Sequence, residues 1–431
     1  MKMNTPWKGT PFDSSYRNSM FRILIPTFFA GFASLGLLFV NFSRIISDIY
    51  QSKLFLSVEA AAGMAGILTG VDILAKLGIS PLTGYLSDKF GRRKLIVTGM
   101  SLGIIASLTF LWAYLFDFEI AIVSFLWAGT IFLGLEKGQT NTSITIASGD
   151  TGEEYNQIGR SEAAWDVALI AGMISGVAIA TLLDLNYYQQ IFLSIFIFIA
   201  AAIFSFFLTK ETLQPLGPNI EVKKTKINDY KDILKEKNFI PLFIFAFAVE
   251  AQESGMVFYL LPLMFEQTTT LSSNTVTIIV FLPAMLSLAI FFIPAGILSD
   301  KYGRKRMALF GMGISIILMV LLSFTGAFPI EIQIPIIVSI LITLGFFVCL
   351  YRMPLMSSLT DLTNRQSRGI AYGILRGFRE FGGAVAPFIL GAFLILGFNF
   401  YNVILIMALI TGICFALNVF LFRETVRMMA N

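Results

Sequence analysis

Twelve residues of this 431-residue chain occur twice, as Gly84-Tyr-Leu-Ser-Asp-Lys-Phe-Gly-Arg-Arg-Lys-Leu95 and as Gly296-Ile-Leu-Ser-Asp-Lys-Tyr-Gly-Arg-Lys-Arg-Met307. Each copy lies between two long apolar stretches, so the chain reads as two homologous halves joined end to end, with a polar loop at the same place in each. Parallel repeats of this kind in a membrane predict a solute path between the halves.

The bilayer follows from composition: 56% of the residues are hydrophobic and only 13% charged, far too apolar for a soluble chain of this size. Runs of the roughly 20 apolar residues needed to span hydrocarbon fall at 22–44, 57–86, 95–116, 119–147, 159–184, 189–209, 239–265, 275–298, 306–327, 331–358, 369–396 and 400–422. The expected fold is an all-α membrane protein of twelve transmembrane helices in two pseudo-symmetric six-helix halves. The expected divisions are an N-terminal tail (1–20), a first half (21–210), a linker (211–238), a second half (239–422) and a C-terminal tail (423–431).

Lys2, Lys8, Arg17, the cluster Lys89 to Lys94, Lys223 to Lys237, Lys301 to Arg306, Arg365, Arg368, Arg423 and Arg427 fall on one side of such a layout. Arg44 and Lys53 alone fall on the other. Positive loops stay in the cytoplasm, which predicts cytoplasmic termini; a bacterial cytoplasmic membrane is the expected location. The tail before the first span lacks a signal-peptide pattern, and the formal charge of +4 is explained by topology and gives no support to nucleic-acid binding. The two cysteines, Cys349 and Cys414, lie in different apolar runs and read as core residues rather than a metal or disulfide pair. The absence of histidine removes the usual proton acceptor near neutral pH, so a protonation switch here must be a carboxylate. No metal or cofactor is expected.

The repeat continues beyond the loops. Ala147-Ser-Gly-Asp150, Arg160, Gly172 and Gly176 in the first half are answered by Ser357-Ser-Leu-Thr-Asp361, Arg368, Gly373 and Gly377, with Gly382 and Gly383 beyond. Gly172-Met-Ile-Ser-Gly176 is a pattern that lets helices approach closely. Gly84 and Gly296 suggest tight packing at a helix end, and Gly91 and Gly303 the turn between spans.

The repeated Gly-x-Leu-Ser-Asp-Lys-x-Gly-Arg-[Arg/Lys] loop resembles the signature of the major facilitator superfamily, and with twelve spans, duplication and a central charged linker the resemblance covers the whole chain. It implies a monomeric secondary transporter working by alternating access, driven by an ion gradient. It also implies that Asp88 and Asp300, with Arg92 and Arg304, belong to a conformational latch in which the acid meets a helix N-terminus. Glu162 and Asp166 in span five and Arg376 and Arg379 in span eleven, at matching depth in opposite halves, suggest further latch pairs. Two departures stand out: span five lacks the glycine-proline motif of many drug/proton antiporters, and span four lacks the usual arginine before Gly138.

Ionisable groups inside the membrane cost about 2.5–3.5 kcal/mol each on insertion scales and mark functional positions by default. Asp72 and Lys76 stand four apart in span two, where one face can carry both as a pair. Glu136 and Lys137 in span four point about 100° apart and need separate partners. Glu250 and Glu253 in span seven are helical neighbours whose repulsion and desolvation should let at least one of them bind and release a proton near neutral pH; the alternative is that one of them pairs with Lys137 or Arg352. Glu250, Glu253, Glu136 and Asp72 are thus the proton-coupling candidates. Arg352 in span ten offers a fork suited to a carboxylate or phosphate. With Lys137, Tyr351, Gln252 and Tyr259 it completes the candidate substrate contacts, and Arg376 and Glu380 form a second i,i+4 pair.

No nucleotide-binding loop occurs and no nucleophile-base set has catalytic spacing, so the chain reads as no enzyme. The expected function is proton-coupled transport of a small polar or charged solute, a zwitterion or organic anion such as an amino acid, peptide or carboxylate. Efflux of amphiphiles and a receptor-like role without transport are the alternatives.

Overall fold

The computed structural model describes residues 14–154, 158–212, 239–268, 271, 273–362 and 368–424. The described residues carry no strand. Span one is α1 (Ser14–Ala30), a π-helical stretch π1 (Gly31–Leu38), a short 3-10 turn (Phe39–Asn41) and α2 (Phe42–Leu54). Spans two to six are α3 (Val58–Phe90), α4 (Arg92–Leu115), α5 (Glu119–Glu154), α6 (Ile158–Leu182) and α7 (Tyr187–Leu208). Span seven is α8 (Phe239–Gln252), a second π-helical stretch π2 (Glu253–Leu260) and α9 (Leu261–Thr268). Spans eight to twelve are α10 (Ser273–Tyr302), α11 (Arg304–Ser323), α12 (Ile330–Leu362), α13 (Arg368–Ile395) and α14 (Phe400–Leu421). Ten of these segments are long and apolar enough to cross a membrane among the described residues, and the apolar part of α6, Val167–Leu182, is shorter.

The outside of this protein is as greasy as its inside: Phe207 is 75% exposed, Leu409 63% and Phe420 85%. In water such faces would drive aggregation; against lipid tails they cost nothing. Helices then associate through close packing and polar contacts rather than the hydrophobic effect. Small residues make the close approach possible: a Cβ on Gly36 of π1 would lie 2.6 Å from the Met173 carbonyl, and Gly36 and Gly176 of α6 meet backbone to backbone.

Proline explains some of the cross-links. It lacks an N–H and its ring displaces the carbonyl four residues earlier. Pro26 in α1 thus frees the Arg22 carbonyl, which accepts from Thr209 Oγ1 at 3.3 Å. Pro262 in α9 frees the Phe258 carbonyl, which accepts from Ser43 Oγ at 3.3 Å.

The chain forms two compact units, one of 1–39, 78–116 and 120–220, the other of 40–77, 117–119 and 221–431. These units differ from the halves expected from sequence at one point of consequence. The last part of span one and the first part of span two pack with the C-terminal residues, and the change of unit in span one falls just after π1.

Candidate functional site

The second unit carries an array of three acid–base pairs. Arg379 of α13 sets Nη2 and Nε on Glu250 Oε2 of α8, at 2.6 and 3.0 Å. Arg352 of α12 sets Nη1 at 2.8 Å from Glu253 Oε2, on the first residue of π2. Lys76 of α3 lies 2.7 and 2.8 Å from the two carboxylate oxygens of Glu380 on α13. The six side chains retain 13 to 22% of their exposure, so the array lies on the accessible border of the helix core.

Local structure explains the pairing. Arg379 and Glu380 are neighbours on α13 and point about 100° apart, so one reaches α8 and the other α3. Gly383 lets α13 lie close to α8, since a Cβ there would come 2.9 Å from both Glu250 Cγ and Ser254 Oγ. Three acids against three bases leave the array neutral.

Several sequence expectations change here. Glu250 and Glu253 each have an arginine, because α12 and α13 bring one to each side; the alternative of pairing with Arg352 holds for Glu253. Lys76 meets Glu380 across helices, and Asp72, one turn away on α3, is fully buried. The expected Arg376–Glu380 pair is replaced by that same contact, and Arg376 is exposed. Tyr259 is no open substrate contact: it is completely buried and donates to the Ala62 carbonyl at 2.9 Å, above Gly66. Tyr351 donates to Gln252 Oε1, and Gln252 donates to Thr411 Oγ1 at 3.2 Å, all three side chains being buried. Arg44 is no loop charge; it is buried, with Thr277 and Asn41 as hydrogen-bond partners and Glu266 Oε2 at 3.9 Å.

A cavity of about 40 Å³ borders Gln252 and Glu253, walled by Val257, Ala284, Leu288, Leu341, Leu344, Gly345 and Val348.

In the first unit, Glu136 is buried and accepts from Ser34 Oγ of π1 at 2.7 Å. Lys137 places Nζ 4.0 Å from the centre of the Phe39 ring. The two neighbours on α5 thus use different partners, as their separation of about 100° requires.

The repeated loops show their chemistry at the helix starts. Gly91 and Gly303 both adopt φ +95°, a conformation that glycine alone takes cheaply. The helices that follow open on a carboxylate: Arg92 N donates to Glu211 Oε1 at 2.8 Å and Arg93 N to Oε2 at 3.3 Å. In the second copy Arg304 N and Lys305 N donate to Glu424 at 2.9 and 3.1 Å. Each acid thus satisfies orphan N–H groups and meets the positive end of the helix dipole. Arg92 also pairs with Asp150 at 3.2 Å, and Thr212 donates to the same oxygen at 2.9 Å.

Sequence reasoning missed Glu211 and Glu424, and read Asp150 only as part of the repeat. The signal was present as a further repeat, Lys210-Glu211-Thr212 after span six and Arg423-Glu424-Thr425 after span twelve. Among the expected latch residues, Asp300 is 70% exposed and lies 3.7 Å from Arg304 of its own loop. The side chains of Asp88, Glu162 and Asp166 lie outside the described residues. Among the described residues, a Cβ on Gly84 would meet nothing within 4 Å and one on Gly296 only the end of Met353, at 3.6 Å. The turn needs Gly91 and Gly303; Gly84 and Gly296 sit inside the preceding helices.

Comparisons with known proteins agree with this architecture. The family model "Major Facilitator Superfamily" matches residues 24–287 and 251–430. None of the curated protein sequences matches the chain. Among solved structures, a mutant form of the nucleoside transporter NupG superposes with a TM-score of 0.74 at 14% identity, covering 94% of this chain and all of that one. A D-xylose–proton symporter gives 0.71 at 14%, covering 95% and 98%. The xylose transporter XylE from E. coli, described in a partially occluded inward-open conformation, gives 0.68 at 16%, covering 96% and 99%. With the duplicated loop and the helices it joins, these findings establish that the chain is a multi-pass membrane protein of the major facilitator superfamily, a transporter and not an enzyme.

Proposed function

We propose that this protein is a proton-coupled secondary transporter of a small zwitterionic solute, with both termini in the cytoplasm. The observation that carries the reading is the half-buried array of Glu250–Arg379, Glu253–Arg352 and Lys76–Glu380. A buried charge that loses its partner is costly. A solute with one charge would displace one partner and strand it, whereas a zwitterion can replace both members of a pair at once. The full pairing therefore favours the zwitterion over the organic anion within the class expected from sequence. Without histidine, Glu250 and Glu253 are the groups to carry the proton, since protonating either releases its arginine.

Two measurements test this. The melting temperature of the purified protein is followed against amino acids, dipeptides, carboxylates, sugars, nucleosides and lipophilic cations. A ligand at 100 times its dissociation constant adds about 2.7 kcal/mol of stability, a readable shift. A response confined to zwitterions supports the reading, and one confined to lipophilic cations overturns it in favour of efflux. The responding solute is then offered to proteoliposomes under a pH gradient. Glu250→Gln and Glu253→Gln are expected to abolish gradient-driven uptake; if both retain it, the coupling assignment is wrong.

A further inference from the structure

The pair Glu253–Arg352 has a neutral counterpart one residue back on each helix. Gln252 and Tyr351 bond to each other, so two consecutive residues of span seven meet two consecutive residues of span ten. The two contacts differ in exposure. Gln252, Tyr351 and Thr411 are 3%, 0% and 0% exposed, while Glu253 and Arg352 keep 19 and 21%. Both ends of the Gln252 amide are used, its oxygen by Tyr351 and its nitrogen by Thr411 of α14, with Met319 Sδ of α11 at 3.6 Å. The amide also stands at a structural transition, the last residue of α8 before π2 begins at Glu253.

A satisfied polar network among buried side chains is stiff and specific, and an amide and a phenol stay uncharged where a carboxylate can switch. We propose that Tyr351, Gln252 and Thr411 are positioning residues: they hold the register of spans seven and ten through the transport cycle, so that Glu253 and Arg352 re-form their pair after each opening. Tyr351 and Gln252 act from behind the ion pair and do not touch the solute. The inference rests on the transport reading of that pair.

The test is a double-mutant cycle nested in a third substitution. Glu253→Gln, Arg352→Gln and the double variant of the full-length protein are compared by melting temperature in detergent, which gives the coupling of the pair without a solute. The cycle is repeated in a Tyr351→Phe background. Positioning predicts that the coupling loses most of its size there. A residue that merely adds stability would lower all four melting temperatures equally and leave the coupling intact, which overturns the proposal. Should Tyr351→Phe fail to fold, Thr411→Val removes the other end of the amide's support and carries the same expectation. A third outcome also overturns it: Tyr351→Phe keeps the coupling but weakens, by tenfold or more, the melting response to whichever solute of the panel stabilises the wild type, making Tyr351 a substrate contact. Failure of the transport reading is separate, since it appears as a wild-type pair with normal coupling and no gradient-driven uptake.

Discussion

Arg379 places two nitrogens on a single oxygen of Glu250, and such a pair is worth more as a pair than as parts. Breaking a buried ion pair by removing one partner costs about 3–5 kcal/mol, whereas replacing both members is close to neutral. Glu250→Gln and Arg379→Gln are each expected to lower the melting temperature in detergent. The double variant should recover most of that loss while transport stays abolished. A double variant whose loss equals the sum of the singles would refute the coupling. The charged residues of this array were visible in the sequence as polar intruders in apolar runs. Of their partners only Arg352 was named, as one alternative for the two glutamates; the others were not, because spacing rules see one helix at a time: Arg376 stands four residues before Glu380, yet α3 delivers Lys76 to it.

Among helices, the small-residue pattern was the most legible feature and π-helical geometry the least. Gly172 and Gly176 announced a close approach, and the structure supplies its object, the backbone of span one. Gly176→Leu is therefore expected to abolish accumulation of folded protein, since the neighbouring atoms are backbone and cannot yield. Gly412→Ala meets nothing within 4 Å and gains about 0.5–1 kcal/mol of helix propensity. Yields of monodisperse protein after size-exclusion chromatography distinguish the two, and equal yields would contradict the packing account. Nothing in Gly31–Leu38 or Glu253–Leu260 specifies a wider helix by residue type alone. The two stretches nevertheless occur in spans one and seven, the first of each half, and π-helical turns concentrate at functional sites. Glu211 was grouped with the polar linker on composition, which hid its role at the start of α4.

For the molecule as a whole, duplication of the sequence does not translate into duplication of the compact units. Residues 40–77 belong to the unit built mainly from 221–431: Arg44 meets Thr277, Tyr259 lies over Gly66, and Lys76 meets Glu380. Residues 1–212 expressed alone should therefore be short-lived, and co-expression with 213–431 should restore both pieces, as read by pulse–chase in membranes. A first piece that persists unaided would show that these contacts are dispensable. Synthesis in the cell runs from the N-terminus, so Arg44 and Lys76 enter the bilayer well before the helices carrying Thr277 and Glu380 have left the ribosome. For that interval Arg44 lacks Thr277 and Lys76 lacks Glu380. The birth of this protein, and not only its working cycle, is then expected to depend on when its second half arrives.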